Sequence, residues 1–304
     1  MKILVTGASG FIGRHLINLL NKKDCEVYAL YFGSKPSKTF KNIAWHQIDL
    51  LNYAETKKFM EIVQPTHIVH LAWYTEHGKF WDSPKNKEWI EATINLFKYF
   101  KKFNGKKFIC SGTKAEYFDG EFEDKYVNSV FENKEGMPLK PDTLYGKSKN
   151  FLHEELKKID TGGYRSLAWA RVFDTYGPYE NEKKYCSYII KQAMENKDIF
   201  CKNPTLAMDF LHVQDIAHAF KDILEHEYTG VVNISSGKPV TLKYIAEYIL
   251  EKMSTCSSLD LNQESKDERK IFGNNNLLKS LGWSQKYDIN AGLDDLINFY
   301  VTNK

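Results

Sequence analysis

Closely spaced cysteine pairs are missing from this chain. Cys25, Cys110, Cys186, Cys201 and Cys256 occur singly, without a CxxC spacing and without a histidine at metal spacing. That argues against a disulfide framework and a metal centre, and for reduced thiols in the cytoplasm. No apolar run reaches membrane-spanning length, and the first residues read as a working strand, not a signal peptide, so no membrane partner is expected. A strong charge of one sign is also missing. The formal net charge is +3, which carries no nucleic-acid footprint. Repeats, low-complexity tracts and long linkers are lacking as well. What remains is an ordinary globular composition, 42% hydrophobic and 27% charged over 304 residues, enough for one large domain or a main domain with a lesser one.

The most informative stretch is the first. Residues 1–6, Met-Lys-Ile-Leu-Val-Thr, form a short apolar run fit for a buried parallel strand and lead into Gly7-Ala-Ser-Gly-Phe-Ile-Gly13-Arg14. Leu16, Ile17, Leu19 and Leu20 then recur at helical spacing, so the order is strand, glycine turn, helix. That context is what a dinucleotide fingerprint requires. Gly7 suits a tight turn, Gly10 lets backbone amides approach a pyrophosphate, and Gly13 lets the helix lie close to the strand. Ser9, Phe11, Ile12 and Arg14 join them as cofactor contacts at the helix N-terminus.

One absence bears on cofactor choice. Residues 26–31 read as the second strand, and no acid follows in Phe32-Gly-Ser-Lys-Pro-Ser-Lys38, where an NAD site usually holds the ribose 2′-hydroxyl. Ser34, Lys35 and Lys38, with Arg14, are what a 2′-phosphate would use; NADP(H) is therefore favoured, with NAD(H) as the alternative. Residues 43–49 look like a third strand whose Asp49-Leu50 end is placed to touch adenine. Residues 67–72 form the next strand, and Leu71-Ala72 would lie against the cofactor's far ribose and phosphates. His67 and His70 on it lack a completing carboxylate or cysteine and read as structural. The polar, aromatic loop of residues 74–81 leaves the carboxyl end of that strand, where ligands collect in an open α/β sheet, so Tyr74 and His77 are candidate substrate contacts.

Tyr145-Gly-Lys-Ser-Lys149 carries chemistry. A helix sets residues i and i+4 on one face, so the phenol and the ammonium can share a site, where a neighbouring cation favours phenolate. Such a phenol is suited to proton transfer. Upstream, Thr113 brings a hydroxyl to a strand end.

Together, Gly7-Ala-Ser-Gly-Phe-Ile-Gly13, Thr113, Tyr145 with Lys149, Arg171-Val-Phe-Asp-Thr-Tyr-Gly-Pro178, Asp209-Phe-Leu-His-Val-Gln-Asp215 and Leu281-Gly-Trp283 resemble the extended short-chain dehydrogenase/reductases that act on nucleotide-sugars, across nearly the whole chain. The resemblance implies an α/β fold: a Rossmann-type doubly wound parallel sheet over residues 1–172, with 209–240 returning to it, and a smaller C-terminal α/β lobe, 173–208 and 241–304, that binds the nucleoside diphosphate sugar. It implies Tyr145 as acid/base, Lys149 fixing it and the nicotinamide ribose, Thr113 on the reacting sugar oxygen, Phe173 near the cofactor, and Lys114, Asp174 and Tyr179 near the substrate.

Departures from the pattern narrow this. Sugar 4,6-dehydratases carry Thr-Asp-Glu where this chain has Thr113-Lys114-Ala115, so dehydration is not expected. Tyr179 stands where related epimerase-reductases keep a histidine, and Met208 where relatives commonly have an arginine facing the diphosphate; Arg269 or Lys266 are the nearest replacements. The expected function is NADP(H)-dependent reduction of a 4-keto deoxysugar on a nucleoside diphosphate, with hydride from nicotinamide and the proton from Tyr145. An NAD-dependent 4-epimerase or 4-dehydrogenase is the alternative, and a non-catalytic nucleotide-binding module a lesser one. Relatives dimerise through paired helices, so a homodimer through the helices after Trp89 and around Tyr145 is expected.

Overall fold

The computed structural model describes residues 1–304 except 23, 24, 34, 35, 37–39, 119–127, 162, 263, 264 and 304. The chain opens with β1 (Lys2–Thr6), whose Ile3, Leu4 and Val5 are fully buried, and α1 (Phe11–Leu20), which turns Leu16, Ile17 and Leu20 inward. β2 (Glu26–Tyr31), β3 (Ile43–Gln47), α2 (Tyr53–Val63) and β4 (His67–His70) follow. α2 is capped by the Asn52 side chain, which accepts from Glu55 N–H, and stops where Gln64 turns left-handed at φ 46°. α3 (Lys85–Lys102) begins earlier than the apolar spacing from Trp89 suggests, directly after Pro84, whose φ of −61° is already helical. Next come β5 (Lys107–Thr113), β6 (Val130–Asn133), α4 (Leu144–Ile159), β7 (Leu167–Val172) and β8 (Asp174–Tyr176).

β1 to β5 and β7, with β12 (below), form one parallel sheet in the order β12-β7-β5-β4-β1-β2-β3. β7 is buried at all six positions, as a strand covered by helices on both faces must be. Strand order reverses between β1 and β4. In an open α/β sheet such a reversal, outside the carboxyl ends of the strands, is the crevice where ligands bind.

The remaining elements are α5 (Tyr185–Met194), β9 (Ile199–Cys201), β10 (Ala207–Met208), β11 (Phe210–His212), α6 (Val213–Glu225), β12 (Gly230–Ile234), β13 (Val240–Thr241), α7 (Leu242–Met253), β14 (Leu259–Leu261), β15 (Lys270–Gly273), α8 (Asn276–Ser280) and α9 (Ile289–Thr302). α1 and α6 cover one face of the large sheet, and α2, α3 and α4 the other. Around Tyr176, α5, α7 and α9 enclose a separate apolar cluster. A smaller sheet runs β13-β10-β15-β6. Because β6 pairs with β15, residues 130–133 cross from the first stretch of chain into this smaller layer.

Two acids of the Asp209–Asp215 motif clasp the layers together. The Asp209 carboxylate accepts from the backbone N–H groups of Ser236 (2.7 Å), Gly237 (2.9 Å) and Gly273 (3.1 Å). Asp215 accepts from Lys286 and Tyr287 N–H at 3.0 and 2.9 Å, and its carbonyl from the Trp283 indole at 3.0 Å. Val213 to Asp215 belong to the first turn of α6. No helix among the described residues is long and apolar enough to cross a membrane.

Candidate active site

The glycine turn meets its requirements atom by atom. Gly7 sits at φ +65°, and a side chain there would approach Ala72 N to 2.8 Å. β1 and the Leu71-Ala72 segment therefore touch at the crevice; Leu71 N–H donates to Thr6 O and Ala72 N–H to the Thr6 hydroxyl. At Gly13 a Cβ would lie 2.2 Å from Gly7 O, so only glycine lets α1 pack this closely. Gly10 is exposed and caps α1 with no side chain, and the first turn holds no acid. Its amides and dipole are thus left for an anion, which fits a dinucleotide pyrophosphate. Arg14 folds back over this turn, donating from Nη2 to Ser9 O (3.1 Å) and from Nε to Gly10 O (3.3 Å). Ser9, Phe11 and Ile12 are half-buried around it. Asp49 accepts from Leu51 N–H at 2.9 Å, with Leu50 buried beside it. Ser34, Lys35 and Lys38 lie outside the described residues.

Thr113 ends β5 and begins a single 3-10 turn, its backbone N–H donating to Glu116 Oε1 at 2.8 Å. Its hydroxyl accepts from Ala115 N–H at 3.2 Å and lies close enough to the Tyr145 phenol to favour the phenolate form. Thr143 caps α4, presenting Tyr145 in the first turn and Lys149 one turn on. Tyr145 N–H donates to Trp81 O at 2.8 Å, and the phenol ring packs edge-on against Phe80 at 5.0 Å.

The electrostatics correct one expectation. Lys149 does not draw the Tyr145 phenol toward ionisation; burial pushes it above the usual tyrosine range, against the opposing effect of the Thr113 hydroxyl. The Lys149 ammonium is engaged elsewhere. It donates to Ser111 O at 2.9 Å and lies 3.7 Å from the centre of the Trp73 ring, and burial lowers its pKa to about 8. Both groups are thereby biased toward their neutral forms.

Beneath Thr113, Glu116 is fully buried, accepting also from Trp169 Nε1 (3.0 Å) and Arg171 Nε (2.8 Å). Gly112 makes room for this, since a Cβ there would sit 2.4 Å from the Trp169 indole nitrogen. Glu116, Trp73, Phe80 and Trp81 were not among the sequence candidates, although Thr113-Lys-Ala-Glu116 has capping-box spacing and was legible.

The substrate candidates divide. Lys114 and Asp174 meet at 2.6 Å, both partly exposed. Phe173 is buried against Tyr117, its N–H donating to Ile234 O. Tyr74 donates to Glu76, and His77 is exposed. Tyr179 takes φ +72° and stacks on Arg14 (4.4 Å) and Phe299 (4.7 Å). Arg269 is not an open diphosphate anchor: its guanidinium is buried in a two-point pair with Asp267, at 2.8 and 2.7 Å. His70 bridges Thr6 and Thr93 and His67 meets Thr66, both held neutral by burial. Among the described residues no group of three His, Cys, Asp or Glu could hold a metal ion.

Residues 3–235 match the model of the NAD dependent epimerase/dehydratase family. The chain belongs to this family, and it is an enzyme of the extended short-chain dehydrogenase/reductase type. CDP-abequose synthase of Salmonella muenchen is 25% identical over 311 residues, covering 98% of this chain and 97% of that protein. The dTDP-6-deoxy-L-talose 4-dehydrogenase (NAD(+)) of Aggregatibacter actinomycetemcomitans is 24% identical over 257 residues, covering 83% and 90%. UDP-glucose 4-epimerase of Thermotoga maritima, solved with UDP-glucose, has the same fold: TM-score 0.85 at 19% identity, over 100% of this chain and 99% of that one.

Proposed function

We propose that the enzyme reduces the C4 ketone of a deoxysugar carried on a nucleoside diphosphate, using NADP(H). The Thr113–Tyr145 pair carries this reading: a hydroxyl at the end of β5 beside a phenol in the first turn of α4, which burial keeps protonated. Two such groups polarise a ketone oxygen, and the phenol then gives that oxygen its proton as the alcohol forms. The reduced cofactor, when bound, supplies the hydride to the carbonyl carbon. The glycine turn would hold its pyrophosphate, and Tyr145 and Lys149 its nicotinamide ribose.

Dehydration finds no free carboxylate in the described residues directly after Thr113 or at the end of β7. Glu116 is bound to Arg171 and Asp174 to Lys114, so neither carboxylate is free to assist loss of water. The relative named as a deoxysugar 4-dehydrogenase supports chemistry at C4. Arg14 over the glycine turn, with no acid in residues 32–38, supports NADP(H). That relative's name also records NAD(+), which favours the second reading, an NAD-dependent 4-dehydrogenase or epimerase.

The test is reduction of nucleoside-diphosphate 4-ketosugars with NADPH and with NADH, by wild type and Tyr145→Phe. Expected are turnover with NADPH preferred and a loss of about 10³-fold in the variant. Wild-type turnover by Tyr145→Phe would remove the proposal, and tightly held, non-exchanging NAD(H) would move it to the second reading.

A further inference from the structure

The loop between β4 and α3 surrounds the Tyr145 phenol with aromatic rings. Phe80 meets the Tyr145 ring at 5.0 Å and 89°, Trp81 at 5.8 Å and 84°, and Trp73 at 6.5 Å and 66°. Phe80 and Trp81 themselves lie 4.4 Å apart, and Trp81 remains 40% exposed although it adjoins the candidate proton donor.

The polar side chains of the same segment are largely committed to one another. Tyr74 donates to Glu76, which also pairs with Lys79. Asn86 accepts from the Trp73 indole at 2.8 Å and donates to Phe80 O and Ser83 O at 2.7 and 2.9 Å. Trp73 is further engaged by the Lys149 ammonium. At Trp73, Phe80 and Trp81 the loop thus offers aromatic surface to whatever meets the phenol, and the polar groups of Tyr74, Glu76, Lys79 and Asn86 are used internally. A sugar hydroxyl against that surface would lose its water without gaining a partner. A methyl or a ring C–H would gain by burial there.

Building on the C4-reductase reading, we propose that Phe80 and Trp81 are specificity-determining residues, forming an apolar wall that selects sugars lacking the hydroxyl at C3 or at C6, on either side of the reacting carbon. A group protonated by Tyr145 is flanked on the sugar ring by C3 and by C5 with its C6 substituent. The wall faces one of these, so the preferred substrate carries a methyl or methylene there and not a carbinol. An apolar surface discriminates against an added hydroxyl by about 10- to 100-fold.

The experiment is calorimetric binding of matched pairs of nucleotide-sugars, hexose against 6-deoxyhexose and hexose against 3-deoxyhexose, on UDP, CDP and dTDP. The protein is saturated with reduced cofactor, so that a sugar alcohol binds without being oxidised. In the wild type one deoxy series should bind about tenfold more tightly than its hexose. The ratio should fall to within about twofold in Trp81→Ala, with Trp81→Leu, which keeps apolar volume, retaining part of it. A ratio near one in the wild type for both series, or one unchanged in both Trp81 variants, overturns the wall. If no nucleotide-sugar binds, the functional reading itself fails and the wall falls with it. Binding without discrimination removes the wall alone.

Discussion

Lys149 is under strain of a measurable kind. Its ammonium is buried and its pKa is lowered from 10.5 to about 8, with burial the largest cause and Cys110 and Glu116 opposing it. A gap of that size corresponds to about 3 kcal/mol held against the folded state while the amine is charged. The sign follows from proton counting. Between pH 8 and 10.5 the unfolded chain keeps the proton and the folded chain has released it, so stability rises with pH across that window. Below about pH 8 the full penalty applies. Lys149→Met removes the charge at similar length and leaves Ser111 O without this donor, a loss of about 1 kcal/mol. At pH 7 the variant should therefore be more stable than the wild type by about 2 kcal/mol. At pH 9.5 the advantage should vanish, because the wild type has recovered about 2 kcal/mol by deprotonation. Urea unfolding of the cofactor-free protein at both pH values reads this directly. Stability differences that stay parallel from pH 7 to 9.5 would refute the assignment of a buried, charged Lys149. The same variant should lose turnover, since it removes a group from the candidate site.

Gly10→Ala should remain folded, because its Cβ meets a single atom, Gly7 O at 3.1 Å, yet weaken cofactor binding tenfold or more by fluorescence titration. Gly13→Ala drives a methyl to 2.2 Å from Gly7 O and should lower stability by about 3 kcal/mol in denaturant melts. Asp209→Ala strips the acceptor from three backbone amides and should lower stability by about 3 kcal/mol or more, without changing which reduced cofactor is preferred. α3 and α4 pack side by side with Phe151 exposed on α4, so sedimentation should find a dimer for the wild type and a monomer for Phe151→Glu.

The elements that recur with a fixed period were legible. The strand, glycine turn and helix of the first twenty residues need no partner to be recognised. Tyr145 and Lys149 share a helix one turn apart, as their i, i+4 spacing implies, while the ammonium itself turns to Ser111 O and the Trp73 ring. Thr113 could be named because it ends an apolar strand. Arg269 could not be read correctly: acids stand one and two residues before it, and whether the cation pairs with one of them, here Asp267, or reaches for a ligand depends on how the surrounding chain buries it.

By itself the sequence determined the opening strand, glycine turn and helix and the helical spacing of Tyr145 and Lys149, because strand period, helix period and glycine dihedrals are properties of neighbouring residues, and its motifs carried the family resemblance that implied the parallel α/β architecture. The tertiary structure decided what surrounds them. Glu116 with Arg171 and Lys114 with Asp174 are joined across 55 and 60 residues of chain, and Trp73 reaches Lys149 because β4 and β5 lie side by side. The sign of the ionisation shifts at Tyr145 and Lys149 was likewise out of reach. It follows from the exclusion of water, and water is excluded by packing between segments distant in sequence.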